Sequence, residues 1–202
     1  MAKAVAFDPD RVAYFEAEGW RAYYDRQWFR LLRLMLGICQ EQFRIPFPLS
    51  LQAAYYVARA SLAWAPVEHD TRVVEQYYIK FYKIARRFSN LTFDPIRAGI
   101  LETKYNDDHR RLVGQVDKTE FIATMVDLHC TLFGLTPEQA RESAELRVLA
   151  CNTVDLITGK TSTDIAGDWE KTQEYLRRCY RSIERERQKA PATPRVPVGA
   201  AS

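Results

Sequence analysis

The sequence predicts an all-α protein, a single irregular bundle of about seven helices. Three observations predict this fold class. Apolar residues recur with the 3.6-residue period of an amphipathic helix along most of the 202-residue chain. Residues that start and stop helices separate these periodic segments at short intervals. No segment shows the sustained alternation of apolar and polar residues that is typical of a half-buried strand.

The helix starts are marked by side chains that can cap the free N–H groups of a first turn. Asp8 and Asp94 each precede a proline, which suits the first helical position because its missing N–H needs no acceptor. Thr136 and Gln139 have the spacing of a capping box. The predicted helices cover about residues 9–43, 49–64, 70–89, 95–113, 118–133, 137–158 and 164–188.

Glycines mark several of the predicted helix ends. Gly114, Gly134 and Gly159 each follow an apolar periodic run, where a residue of positive φ would close the helix. The connections between helices are short, so we expect successive helices to be mostly antiparallel neighbours.

We expect one domain over residues 1–188 and a disordered tail over residues 189–202. The tail contains three prolines and little apolar bulk. The four cysteines form no Cys-x-x-Cys pair, which favours buried free thiols in a reducing compartment. Neither a secretory signal nor an apolar run of about 20 residues is present, so we expect a cytoplasmic protein without a membrane partner.

Common catalytic motifs are missing from the sequence. It contains no Gly-x-Ser-x-Gly, no glycine-rich phosphate loop and no His-Glu-x-x-His, which disfavours hydrolases, kinases and dinucleotide-binding enzymes. Whether the chain is an enzyme stays open. Three tyrosine doublets could line a flat cofactor, but aromatic residues at helical spacing are more often core, and we expect no organic cofactor. The doublets are Tyr23-Tyr24, Tyr55-Tyr56 and Tyr77-Tyr78.

A candidate metal site comes from two predicted helices, 95–113 and 118–133. Glu102 and His109 flank an inward-facing tyrosine on the first, and His129 lies on the apolar side of the second. An antiparallel hairpin between them would place Glu102 level with His129. Helical bundles assemble metal sites from such inward carboxylates and imidazoles, although the Glu-x-x-His pairs of di-iron proteins are absent. The alternative is a structural polar cluster in the core.

Basic residues provide a second candidate site. Arg26, Arg30 and Arg33 would form a stripe on one face of the predicted first helix, with no acidic residue inside it. Such a stripe could follow nucleic-acid phosphates, as in a small subunit of a nucleoprotein complex. The formal net charge of only +3 is small for a nucleic-acid-binding protein. Salt bridges within the chain or between subunits are the alternative.

Because the catalytic signals are weak, we expect a non-catalytic helical protein that acts through its surface, as a self-associating or accessory subunit with a protein partner. Two alternatives from other classes stay open. One is a metal-binding protein or oxidoreductase of the non-heme iron type that uses Glu102, His109 and His129. The other is a phosphate-contacting protein that uses Arg26, Arg30 and Arg33.

Overall fold

The computed structural model describes residues 6–189, and this part of the chain is all-α, without strands. It forms eight helices rather than seven. Their bounds are Pro9–Tyr24 (α1), Trp28–Phe43 (α2), Leu49–Trp64 (α3), Thr71–Phe88 (α4), Pro95–Leu112 (α5), Thr119–Phe133 (α6), Pro137–Thr158 (α7) and Ile165–Lys189 (α8). Lys189 therefore ends a helix, and the rest of the predicted disordered tail lies outside the described residues.

The prediction of a single helix over residues 9–43 is wrong, because these residues form two helices joined by a tight turn. Arg26 has a φ of 56°, in the left-handed region. The N–H of Gln27 donates to the carbonyl of Ala22 at 2.8 Å, and that of Asp25 donates to Arg21 at 2.9 Å. These bonds end α1, and Arg26 takes the left-handed conformation that glycine commonly takes at the end of a helix. The sequence carries no glycine or proline at this point, so the break left no signal there.

The capping residues at the other helix ends largely match the prediction. Asp8 and Asp94 accept from backbone N–H groups of the turns that they start, and Thr136 with Gln139 forms the capping box. Gly114 and Gly134 have the positive φ that was expected. At the end of α7, however, Gly159 keeps a φ of −75°. Lys160 adopts the left-handed conformation there instead, with a φ of 58°.

Successive helices pack as neighbours, and α8 closes the bundle by packing on α1. Two contacts fix this closure: Arg181 on α8 forms a bidentate ion pair with Asp10, and the N–H of Ala6 donates to Glu184 at 3.2 Å. A single hydrophobic core cluster includes residues from all eight helices. Among residues 6–189, no helix is both long enough and apolar enough to cross a bilayer.

Helices α5 and α6 form the predicted antiparallel pair. Thr124 on α6 donates to Asp108 on α5 at 2.6 Å, and Arg111 reaches Glu120 at 2.8 Å. Continuing this register toward the other end of the pair brings Glu102 level with His129. The pair thereby delivers two of the predicted site residues to the middle of the bundle.

Candidate functional site

A cavity of about 170 Å³ lies in the middle of the bundle, and each of the eight helices contributes to its wall. The polar lining residues are Glu16, Gln42, Tyr78, Tyr82, Glu102, His129, Arg147 and Tyr180. The apolar lining residues are Met35, Ile38, Cys39, Phe43, Val57, Phe81, Met125, Leu128, Leu132 and Phe133. Helix α2 and the facing helix α6 supply most of the apolar wall.

Arg147 is the positive charge of this cavity, and a carboxylate neutralises it. Its Nη1 lies 2.5 Å from Oε2 of Glu16, and the hydroxyl of Tyr180 donates to the same oxygen at 2.6 Å. The guanidinium also lies 5.1 Å from the centre of the Trp20 ring. Burial is the largest single influence and opposes the charge of Arg147, but Glu16 together with weaker contributions from neighbouring groups raises the pKa of the guanidinium above its usual value. The ion pair joins α1, α7 and α8.

Glu102 presents a second carboxyl group to the cavity. The hydroxyl of Tyr82 donates to its Oε2 at 2.9 Å, while Oε1 has no donor among the described residues. Glu102 is half-buried and lines the cavity. Burial raises the pKa of Glu102, against the opposing effects of Arg147 and Tyr82. The side chain is thereby shifted toward its uncharged form.

His129 is held as a neutral imidazole with one free nitrogen. Its Nδ1 lies 2.8 Å from Oγ of Ser143, and that hydroxyl donates to the carbonyl of Ala140 at 2.9 Å. Because Ser143 has one proton, both contacts are satisfied only when Nδ1–H of His129 is the donor. Nε2 then carries a lone pair and has no partner among the described residues. Burial, with a smaller effect of Arg147, lowers the pKa of His129 to about 3.

The structure brings two of the three predicted metal ligands together. Glu102 and His129 line the same cavity, but His109 does not. Nε2 of His109 lies 2.9 Å from Oδ1 of Asp155 on α7, and its ring stacks on Phe121. Within residues 6–189, no group of three or more His, Cys, Asp or Glu side chains is arranged to hold a metal ion. The metal site stays a prediction.

The arginine stripe differs from the arrangement that the sequence suggested. Arg26 lies in the turn between α1 and α2, so it does not continue a helical face with Arg30 and Arg33. Arg30 forms an ion pair with Glu18 on α1. Arg33 is exposed. The break thus removes the one-face geometry on which the phosphate-contact hypothesis for these three residues rested.

A different basic surface lies on α3 and α4. In the described part of the chain, none of its four cations has a carboxylate within 4.0 Å: Arg59, Lys80, Lys83 and Arg87. The guanidinium of Arg59 and the ammonium of Lys80 lie 5.1 and 5.3 Å from the centre of the Tyr77 ring. We call these four cations the α3–α4 basic surface.

Comparisons with family models, with curated proteins and with solved structures were made for the whole chain. No family model, no curated protein and no solved structure matches it.

Sequence reasoning missed the ion pair at the centre of the cavity. Arg147 shares the inward face of α7 with Ala140, Ala144 and Cys151, all of which are buried. A charged residue on an apolar stripe was the signal that could have found it. Glu16 carries the same signal on α1. Of the tyrosine doublets, only Tyr78 reaches the cavity.

Proposed function

We propose that this protein binds a small, uncharged organic molecule in the central cavity. One observation carries the proposal: Nε2 of His129 and Oε1 of Glu102 line the cavity without a partner in residues 6–189, beside an apolar wall. A few unpaired polar atoms in an otherwise apolar recess are what orient a small ligand and give it specificity.

The charges of the cavity favour an uncharged ligand over a metal ion. Arg147 is neutralised by Glu16, and the raised pKa of Glu102 reduces the remaining negative charge. A cation in the cavity would meet the guanidinium, whose charge also contributes to the low pKa of His129. Protein zinc sites use at least three side-chain ligands, and within residues 6–189 no group of three or more His, Cys, Asp or Glu side chains is arranged to hold a metal ion.

The same chemistry favours binding over acid–base catalysis. An effective general base has a pKa close to the working pH, whereas the pKa of His129 is lowered to about 3. Its Nε2 therefore accepts a hydrogen bond and takes up a proton poorly. The proposal agrees with the expectation of a non-catalytic protein, but it places the function in the interior rather than on the surface.

The volume limits the ligand to about one ring. A dry engineered cavity of about 150 Å³ in another protein holds benzene. A cavity of about 170 Å³ is thus large enough for a six-membered ring with one small substituent.

Methionine methyl groups provide a direct test. The chain has three methionines, and Met35 and Met125 both line the cavity. Protein labelled with 13C at the methionine methyls should show shifts at both signals when titrated with a panel of single-ring probes, including benzene, toluene, phenol and cyclohexanol. Val57→Phe, which fills the cavity, should abolish the shifts, and Val73→Phe on the outer side of α4 should keep them. If no probe shifts either signal in the wild-type protein, the proposal fails.

The α3–α4 basic surface favours a second candidate function, contact with the phosphates of nucleic acid. Its cations lack the carboxylate partners that neutralise Arg177, Arg181 and Arg185 on α8. Replacing Lys80, Lys83 and Arg87 with alanine should weaken low-salt binding to any sequence and reduce the salt slope by about 0.7 to 0.9 log units per lost contact. The matched triple alanine variant on α8 should change it less. Wild-type protein that retards neither DNA nor RNA at low salt would exclude this function.

Self-association, a protein partner and a cytoplasmic location stay predictions. Exposed aromatic side chains at the end of α1 and the start of α2 suit a protein contact, with Phe29 at 91% exposure. Light scattering across a concentration series tests self-association directly, and a monomer at all concentrations would remove it.

A further inference from the structure

We infer that the cavity selects a ring that carries a hydrogen-bond donor, of the phenol or aniline class, through Nε2 of His129. This inference rests on the proposed function and names its ligand class. It depends on which hydrogen-bond roles the cavity leaves free.

The role of His129 is fixed by its second nitrogen. Ser143 donates its only proton to the carbonyl of Ala140, so Nδ1 of His129 keeps its own proton and Nε2 can only accept. His129 is 5% exposed, and a ligand that cannot donate leaves this acceptor unpaired in the cavity. Sites built around a buried hydrogen-bonding group reject analogues that lack the matching group far more strongly than apolar pockets reject a size change.

The hydroxyls around Glu102 and Glu16 are already used as donors within the protein. Tyr82 donates to Glu102, and Tyr180 donates to Glu16. Each of these hydroxyls has one proton, so neither can donate to Nε2 of His129 while it keeps its bond to the carboxyl group. No described residue donates to Nε2 of His129 within hydrogen-bond distance, so a molecule in the cavity can supply that donor.

The amide of Gln42 supports a hydroxyl or amino group over a purely apolar ring. Gln42 is buried on α2, lines the cavity, and makes no hydrogen bond with other described residues. It offers both a donor and an acceptor to the cavity. A hydroxyl on the ligand can donate to His129 and accept from an amide, whereas a methyl group can do neither.

The apolar residues of the cavity wall suit an aromatic ring. Phe43, Phe81 and Phe133 contribute aromatic rings to the lining, and Met35 and Met125 contribute thioethers. Aromatic pairs and sulfur–aromatic contacts both favour an aromatic ring over an equal volume of water. A six-membered aromatic ring with one donor group thus matches the volume, the apolar wall and the free acceptor together.

Phenol and toluene provide the test, because they have the same number of heavy atoms and differ in the donor. We expect phenol to bind the wild-type protein at least about tenfold more tightly than toluene, as judged by the methionine methyl shifts, since toluene leaves a buried acceptor unpaired. His129→Leu removes the acceptor and should bring the two affinities within about twofold. Met35→Leu changes the wall without touching His129, so it should preserve the preference for phenol.

The outcomes separate this inference from the proposed function. Equal affinities for phenol and toluene in the wild-type protein would overturn the donor selection and leave the ligand-binding function intact. If neither phenol nor toluene binds, and no other ring of the panel binds, both the donor selection and the ligand-binding function are overturned. Should His129→Leu fail to fold, Ser143→Ala provides the second variant. It frees Nδ1 to lose its proton, so it should reduce the preference for phenol without abolishing ring binding.

Discussion

Acidification from pH 7 to pH 5 should destabilise this protein through His129. The neutral imidazole is buried against Ser143, and its pKa is lowered to about 3. An unfolded chain restores the ordinary histidine pKa of about 6.5. Between these two values the unfolded state binds more protons than the native state. The stabilising contribution is therefore complete above pH 6.5 and is lost as the pH falls toward 3.

The magnitude follows from the two pKa values. Protonation of the unfolded chain lowers the free energy of unfolding by about 2 kcal/mol between pH 7 and pH 5, because the native imidazole stays neutral across that interval. Any native pKa below about 4 gives nearly the same figure. This loss is a large fraction of the 5–15 kcal/mol that is typical of domains.

Urea unfolding followed by circular dichroism at pH 7 and pH 5 measures the effect. His129→Gln keeps a polar side chain of similar length that does not titrate, so its loss of stability between pH 7 and pH 5 should be about 2 kcal/mol smaller than that of the wild-type protein. Ser143→Ala is the control. It should cost about 1–3 kcal/mol at both pH values and keep the pH dependence, because burial is the main cause of the low pKa. A His129→Gln variant with the full wild-type pH dependence would refute the reasoning.

Three further predictions concern stability at neutral pH and use the same urea assay. Arg147→Met leaves Glu16 buried without its cation and should cost about 3–5 kcal/mol; the double variant with Glu16→Leu should cost less than the sum of the two single changes, and strict additivity would contradict the ion pair. Gly99→Ala places a Cβ 2.8 Å from the backbone of α4 and should cost about 1–3 kcal/mol of stability. Gly19→Ala meets nothing within 4 Å and should stabilise the protein by up to about 1 kcal/mol. Equal effects of the two changes would show that helix packing at Gly99 is looser than described. Arg26→Gly relieves a left-handed φ of 56° and should stabilise by about 0.5–1 kcal/mol, and a destabilised variant would show that the Arg26 side chain contributes more than its backbone costs.

The fold class and six of the seven predicted helices could be read from the sequence because capping side chains and apolar periodicity act locally. Asp94 caps α5 within its own first turn, so its role needs no knowledge of the rest of the chain. The turn at Arg26 depends instead on packing of α2 back onto α1, where Gly37 lets the helices approach so closely that a Cβ would lie 2.9 Å from Phe15. Nothing local marks that contact.

The candidate site was half predictable for the same reason. The connection between α5 and α6 is short, so the assignment of helix faces sufficed to predict that Glu102 lies level with His129. Their actual hydrogen-bond partners are Tyr82 on α4 and Ser143 on α7. The spacing of residues along the sequence does not predict how close these helices come to Glu102 and His129. The pair of Glu16 and Arg147 joins residues that are 131 positions apart, and they meet because α1 and α7 both pack on α8.

The wall of the cavity is completed late in the synthesis of the chain. Its wall begins with Glu16 and ends with Tyr180, which are 164 positions apart and share one hydrogen bond. At about 5–20 residues per second, roughly 10–30 s separate the appearance of these two residues at the ribosome. A nascent chain has no complete binding cavity during that interval, so a ligand cannot guide the early helices. On the proposed function, a ligand would bind only molecules that have completed α8 and would protect them from proteases, whereas truncated chains that end before α8 would gain no such protection.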